Sequence, residues 1–156
     1  MGINKIGGGL MKVKDIMTRK VITVLEEFTV EDCARLLSDN SIIGLPVVDD
    51  SQKVTGMVTE GDLIRRAANL KGPSYLEILG GIIYLDTPKD LLENLRKSMG
   101  RLVRDVMTRE VELVNENKTV EEVATLLVEK KLKRLPVVDD DNHLVGIVSR
   151  KDILHY

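Results

Sequence analysis

Twice in the sequence a hydroxyl and a carboxylate stand three residues apart, where an apolar run gives way to a polar one: Thr59 with Asp62, and Ser149 with Asp152. A carboxylate placed so can accept hydrogen bonds from the vicinal hydroxyls of a ribose, and a strand running into a helix start leaves backbone N–H groups for an anion. The same four residues also spell ordinary capping boxes, each worth ~1 kcal/mol to its helix. From spacing alone the capping reading is the simpler, and both stay open at this point. Around the second pair stand Lys133, Arg134, Arg150 and Lys151, where the first has Ile43, Gly44, Glu60 and Gly61. Only the second group offers cations to a phosphate, through charge-assisted bonds roughly twice as strong as neutral ones. The alternative is that these four cations are solvated helix and loop residues.

Little else in the chain is suited to chemistry. His143 lies in a polar turn and His155 next to the last residue, so neither joins a nucleophile or metal pattern. Cys33 is the only cysteine, and its spacing beside Ala34 and Leu37 puts it on an apolar helix face, as core packing in preference to a reactive thiol. Asp49-Asp50 and Asp139-Asp140-Asp141 read as turn formers in preference to Mg²⁺ ligands. Gly7-Gly8-Gly9 lacks the Lys-Ser/Thr of a phosphate loop. The prediction is therefore no catalytic residue, no metal site, no obligatory cofactor and no enzyme.

Composition narrows the partners. The chain is 43% hydrophobic and 31% charged, with a formal net charge of -2, the balance of an ordinary globular protein. One Phe, three Tyr and no Trp leave little surface on which bases could stack, which disfavours nucleic acid. The longest nearly apolar stretch, residues 78–85, is far short of the ~20 residues that cross a bilayer, and the N-terminus lacks an apolar signal core. No membrane contact is expected, and a cytoplasmic location is.

What must position the two hydroxyl–carboxylate pairs is a duplication. Residues 13–64 align with residues 103–154 at a constant offset without a gap, and 23 of the 52 positions are identical. Each copy opens on a β-type run, residues 21–24 or 111–114. A helix follows, announced by Thr29 with Asp32 or Thr119 with Glu122, and carrying the stripe Val30, Ala34, Leu37 or Val120, Ala124, Leu127. Two strands joined by a polar turn come next, residues 45–48 with 54–59 and 135–138 with 144–149. Thr59 and Ser149 then cap a last helix. About three strands per copy cannot cover the stripes of two helices, so the copies are expected to bury them against each other, at roughly 1.5–3 kcal/mol per Leu, Ile or Val. The fold class is α+β, two β-α-β-β-α (α/β) repeats. The boundaries are a leader or disordered tail at 1–10, a first repeat at 11–70, a helical spacer at 71–100 and a second repeat at 101–156. In the spacer, Thr87 and Pro88 start the second of two short helices, and residues 82–85 form either a buried elbow or a patch for a second chain.

Met-Thr at 17–18 and 107–108, Leu-Pro-Val-Val-Asp at 45–49 and 135–139, and Gly-x-Val-(Thr/Ser)-x-x-Asp at 56–62 and 146–152 closely resemble the cystathionine-β-synthase-type (CBS) domain. The resemblance covers residues 13–66 and 103–156 as a tandem pair. It implies a disc built about a pseudo-two-fold axis, with two clefts and a regulatory ligand such as AMP, ADP, ATP, S-adenosylmethionine or another adenosyl compound. It implies that Thr59 and Asp62, or Ser149 and Asp152, hold ribose hydroxyls. Ile43, Gly44 and Pro46, or Lys133, Arg134 and Pro136, would border the base or phosphate, and Thr18, Val21 and Ile22, or Thr108 and Val111, would wall the purine. With Arg150 and Lys151 added, the second cleft is expected to prefer a phosphorylated nucleotide. The first is expected to stay empty or to take an uncharged adenosyl group. A homodimer is implied as well, together with a regulated partner on another chain. The alternative function is a ligand-free dimerisation or protein-interaction scaffold.

Overall fold

A computed structural model describes residues 5–6, 9–63 and 101–156. The two helices expected in residues 71–100, the stretch 82–85 and residues 64–70 lie outside the described residues. Lys5–Ile6 (β1) pairs antiparallel with Gly9–Leu10 (β2), within the segment expected as a leader.

Each repeat supplies a three-stranded sheet, giving the mixed α+β architecture that its periodicities predict. In the first, β3 (Val24–Leu25) runs parallel to β4 (Gly44–Val48), with α1 (Val30–Asp39) as the crossover, and β5 (Val54–Thr59) lies on the other side of β4. In the second, β6 (Val114–Asn115), α2 (Val120–Glu129), β7 (Arg134–Val138) and β8 (Leu144–Ser149) repeat the order. The apolar run Leu-Pro-Val-Val reads as a strand covered on both faces, and in both copies these four residues are buried. The opening strands are shorter than predicted. Val24 stands opposite Val47 and Val114 opposite Val137, so the next rung back would fall on Pro46 or Pro136. Proline has no N–H to give a ladder, and the pairing stops there.

Both first helices are held at each end. The Asp32 N–H donates to Thr29 Oγ1 at 3.1 Å and the Thr29 N–H returns to Asp32 Oδ2 at 3.4 Å. In α2 the Glu122 N–H reaches Thr119 Oγ1 at 3.2 Å and the Thr119 N–H reaches Glu122 Oε2 at 2.9 Å. Each helix ends on a left-handed residue, Ser41 at φ 52 or Lys131 at φ 54, after which the Ile42 N–H bonds the Leu37 carbonyl and the Leu132 N–H bonds the Leu127 carbonyl. The buried stripes are Val30, Cys33, Ala34 and Leu37 on α1, and Val120, Val123 and Leu127 on α2.

The chain divides into two compact units, and these do not coincide with the repeats. One comprises Ile22–Asp50 with the described part of Thr55–Val111; the other comprises Ser51–Val54, Glu112–Tyr156 and the described part of Met1–Val21. Each unit thus joins the sheet of one repeat to the arm that precedes the other repeat. In the first-repeat unit, Val103 and Met107 are buried among Val24, Leu37, Leu45, Val47 and Val58. In the second-repeat unit, Val13 and Met17 lie among Val114, Val123, Leu127, Leu135 and Val148. Each arm folds into a single 3-10 turn, Val13–Asp15 or Val103–Asp105, and supplies the carbonyl that receives the first N–H of the helix it abuts: Val120 N–H to Met11 O at 3.0 Å, Val30 N–H to Arg101 O at 2.7 Å. The apolar stripes are therefore covered by a sheet and an exchanged arm.

Glycine lets the arms approach. A Cβ on Gly56 would stand 2.7 Å from the Thr108 carbonyl oxygen, and one on Gly146 would stand 2.5 Å from Met17 Sδ. The neighbour at Gly56 is backbone fixed by its own ladder bonds, so it cannot turn aside. Gly56→Ala is expected to cost ~1–3 kcal/mol of stability by overpacking. Urea denaturation checks it, and an unchanged midpoint would contradict the close seating of the arm.

Candidate functional site

The predicted hydroxyl–carboxylate pairs sit where β5 and β8 run into helices. Residues 60–63 are helical, and Arg150–Leu154 form α3. In the first pair, Asp62 Oδ2 accepts the Thr59 N–H at 2.9 Å and the Thr59 hydroxyl at 3.0 Å, while the Asp62 N–H donates to Thr59 Oγ1 at 3.2 Å. In the second, Asp152 Oδ2 accepts the Ser149 N–H at 2.8 Å and the Ser149 hydroxyl at 3.0 Å, and the Asp152 N–H donates to Ser149 Oγ at 3.2 Å. Both capping boxes are therefore formed. In the second pair the box does not exhaust the carboxylate, because a single oxygen serves the cap. No bond engages Asp152 Oδ1 among the described residues, which leaves two lone pairs for a further donor.

The exchanged arms bring the Met-Thr residues to these strand ends. The Thr18 N–H bonds the Ile147 carbonyl and the Ile147 N–H bonds the Thr18 carbonyl, both at 2.9 Å. The Thr108 N–H reaches Met57 O at 2.8 Å and the Met57 N–H reaches Thr108 O at 2.9 Å. Ile147 and Met57 each precede the capping hydroxyl by two residues. The expected site residues thus sort cleanly. Thr18, Val21, Lys133, Arg134, Pro136, Ser149, Arg150, Lys151 and Asp152 fall in the unit of the second repeat; Ile22, Ile43, Gly44, Pro46, Thr59, Asp62, Thr108 and Val111 fall in that of the first. Pro46, Pro136 and Gly44 are buried in the central strands, whereas Thr18 and Thr108 are exposed and Ile43 keeps 43% of its surface in solvent. The Glu60 N–H is taken by the Ile43 carbonyl at 2.9 Å and the Arg150 N–H by the Lys133 carbonyl at 3.0 Å, so one N–H at each helix start is already spent.

The four cations around Asp152 have different surroundings. Arg150 donates through Nε to the Leu132 carbonyl at 2.7 Å and through Nη2 to the Leu127 carbonyl at 3.5 Å, which ties it to the end of α2. Lys133 and Lys151 are exposed. Arg134 is half-buried and stands opposite Ser149 in the β7–β8 ladder. Burial lowers its pKa, and among the described residues nothing bonds or pairs with its guanidinium. Neutral Ile43 and Gly44 occupy the matching positions of the first repeat.

The carboxylates differ as well. Asp62, at 9% exposure, is the buried charged residue of the described core, whereas Asp152 is half-buried. Its neighbour across the core is Cys33, whose thiol is pushed up to about 12, first by burial and then by the charge of Asp62. Sequence reasoning placed Cys33 in the core and did not connect it to Asp62. The polar turn of the second repeat is organised by Asp139, whose Oδ1 accepts the N–H groups of Asp141 and His143, both at 2.9 Å. Those bonds, the His143 N–H first, hold the Asp139 carboxyl below the usual range.

A family model described as CBS domain matches residues 13–69 and 103–156, and the chain belongs to that family, with the domain in tandem. It is similar to the uncharacterized protein MJ1426 of Methanocaldococcus jannaschii, at 37% identity over 96% of this chain and 92% of that protein. Several curated relatives are longer, and the chain spans between 22% and 64% of their length. Among solved structures it resembles the Arabidopsis thaliana CBS-pair protein CBSX2 in complex with AMP, at 31% identity and a TM-score of 0.70, covering 93% of this chain and 94% of that one. It also resembles the CBS domain pair of protein MJ0100 in complex with 5'-methylthioadenosine and S-adenosyl-L-methionine, at 26% identity and a TM-score of 0.65, covering 93% and 94%.

A thiol whose folded pKa lies above that of the unfolded chain stabilises the fold fully below pH 9.0, and this contribution is lost as the pH rises from there toward about 12. Stability is therefore expected to fall above pH 9.0, and Cys33→Ala to flatten that fall. Denaturant titrations of both proteins across this window check it; an equal decline in the variant would assign the effect to another group.

Proposed function

We propose that the chain is a regulatory module that binds an adenosyl ligand such as AMP, ADP, ATP or S-adenosylmethionine, senses its concentration and performs no catalysis. The observation that carries this is the rung formed by Arg134 and Ser149. It sets a half-buried guanidinium, with no anion partner among the described residues, opposite a capping hydroxyl whose carboxylate keeps one oxygen uncommitted among those same residues. A desolvated cation without a partner is costly, and a phosphate in bidentate contact removes that cost. Asp152 Oδ1 accepts ribose hydroxyls, Thr18 and Val21 flank the purine, and Arg134 takes the phosphate with Lys133 and Lys151 at the solvent edge. Arg150 acts through the backbone it holds in place. In the first-repeat unit, Asp62 and Thr59 serve an adenosyl group without phosphate, bordered by Ile22, Ile43, Gly44, Pro46, Thr108 and Val111. The AMP bound to CBSX2 and the adenosyl compounds bound to MJ0100 support the ligand class.

The ligand's message passes to a protein on another chain, and the module acts as a homodimer. Val128 and Leu154, at 71% and 82% exposure on the neighbouring helices α2 and α3, support a protein contact there.

A saturating ligand at a hundred times its Kd adds ~2.7 kcal/mol, or roughly 5–10 °C in Tm for a chain of this size. AMP is expected to produce such a shift and adenosine a smaller one. Isothermal titration of Arg134→Ala is expected to show AMP binding weakened by roughly 10- to 100-fold, the worth of a hydrogen bond to a charged group, with adenosine binding little changed. Asp152→Ala should weaken AMP more than Asp62→Ala. No shift with any adenosyl compound would leave the scaffold reading, and equal loss from both Asp variants would refute the difference between the units.

A further inference from the structure

The arm of residues 11–18 belongs by sequence to the first repeat, yet its ladder bonds run to β8, two residues from the capping hydroxyl of the second. Its anchors are few. Val13 and Met17 are its buried side chains, Met17 on the bare backbone of Gly146. Backbone bonds fix its two ends: Val13 N–H to Lys118 O at 2.8 Å, Lys14 N–H to Glu116 O at 3.2 Å, and the Thr18–Ile147 pair. Between them lies one 3-10 turn, braced by Arg19 Nη2 on the Lys14 carbonyl at 3.0 Å. Among the described residues, what offsets the entropy of ordering this segment is Val13, Met17, the partly buried Ile16 and the bonds at its two ends, less than secures the sheet it lies on, so the arm is taken to open before that sheet.

On this basis we propose that the arm is the ligand-responsive element of the second-repeat unit, and that the Met17–Gly146 seat positions Thr18 for the ligand. The inference rests on the nucleotide reading above. A ligand held by Asp152 on one side and flanked by Thr18 on the other bridges the β8–α3 junction and the arm, and so binds the docked arm more tightly than the free one. Linkage then makes the effect mutual: ligand strengthens docking, and docking strengthens ligand binding. The docked arm also satisfies the first N–H of α2 through the Met11 carbonyl, so its release leaves that N–H without this acceptor, though the Thr119–Glu122 box stays, and exposes Val13 and Met17. A change of ligand concentration thereby becomes a change of apolar surface, which a partner protein can read. Met17 is a positioning residue here, since it acts through Thr18.

Amide hydrogen exchange of the full chain with and without saturating AMP tests this, with isothermal titration of AMP on the same samples. AMP is expected to slow exchange at the Val13, Met17, Thr18 and Val120 amides by roughly tenfold, within the usual span of allosteric couplings, whereas Val137 and Val148, which open only with the whole fold, slow by the factor that global stabilisation sets. Met17→Ala is expected to lower AMP affinity by a similar factor with the sheet amides still protected, and Met17→Leu, close in volume, to restore it. AMP binding with unchanged exchange along the arm would overturn the coupling and leave the nucleotide reading standing. Absence of binding by AMP, ADP, ATP and S-adenosylmethionine alike in the wild-type chain would overturn both.

Discussion

Each three-stranded sheet of the described residues is finished by a methionine that arrives from the start of the other repeat and lies on a glycine. Met17 on Gly146 and Met107 on Gly56 are the contacts through which the arms close their cores. Three short strands and one amphipathic helix leave an apolar face that must be covered, and here an arm with one valine and one methionine buried supplies the cover. Because the arm lies against the strand that carries Met57 or Ile147, the same contact sets Thr108 or Thr18 on that strand two residues before the capping hydroxyl. Core and candidate site are thus built by one event, and neither repeat completes either alone.

At Asp152 the cap and the proposed ligand site are not rivals for the same atoms. A capping box asks for one carboxylate oxygen, one hydroxyl and two N–H groups, all within four residues, and holds the second oxygen in a fixed direction. That rigidity is what a binding carboxylate needs, because a preoriented acceptor loses little entropy when a ribose arrives. The two units diverge around this shared frame. One keeps its acid buried and near a thiol; the other leaves its acid half-buried and bonded to Ser149, which stands opposite Arg134 in the ladder. Arg150 differs from the other three cations in that its guanidinium also binds the Leu132 and Leu127 carbonyls at the end of α2.

What could be read from the sequence was whatever is local or repeated. The capping boxes, the helix stripes and the hairpin strands depend on neighbours within a few residues, and the offset of the duplication showed that each occurs twice. The exchange of arms could not be read. When Met17 and Met107 are identical, and Gly56 and Gly146 also, a methionine on its own repeat's glycine and one on the other's are the same pattern in sequence. The short opening strands were legible in principle, since Pro46 and Pro136 forbid the missing rungs, but that needs the parallel register. The bond from Arg150 to Leu127 and Leu132 joins elements whose approach no local pattern encodes.

The exchange of arms is the claim on which everything else stands, and nuclear Overhauser contacts of the methionine methyl groups test it most directly. The Met17 ε-methyl is predicted to show cross-peaks to the Gly146 α-protons and the Met107 ε-methyl to those of Gly56. Cross-peaks of Met17 to Gly56 and of Met107 to Gly146 would place each arm on its own repeat and contradict the account.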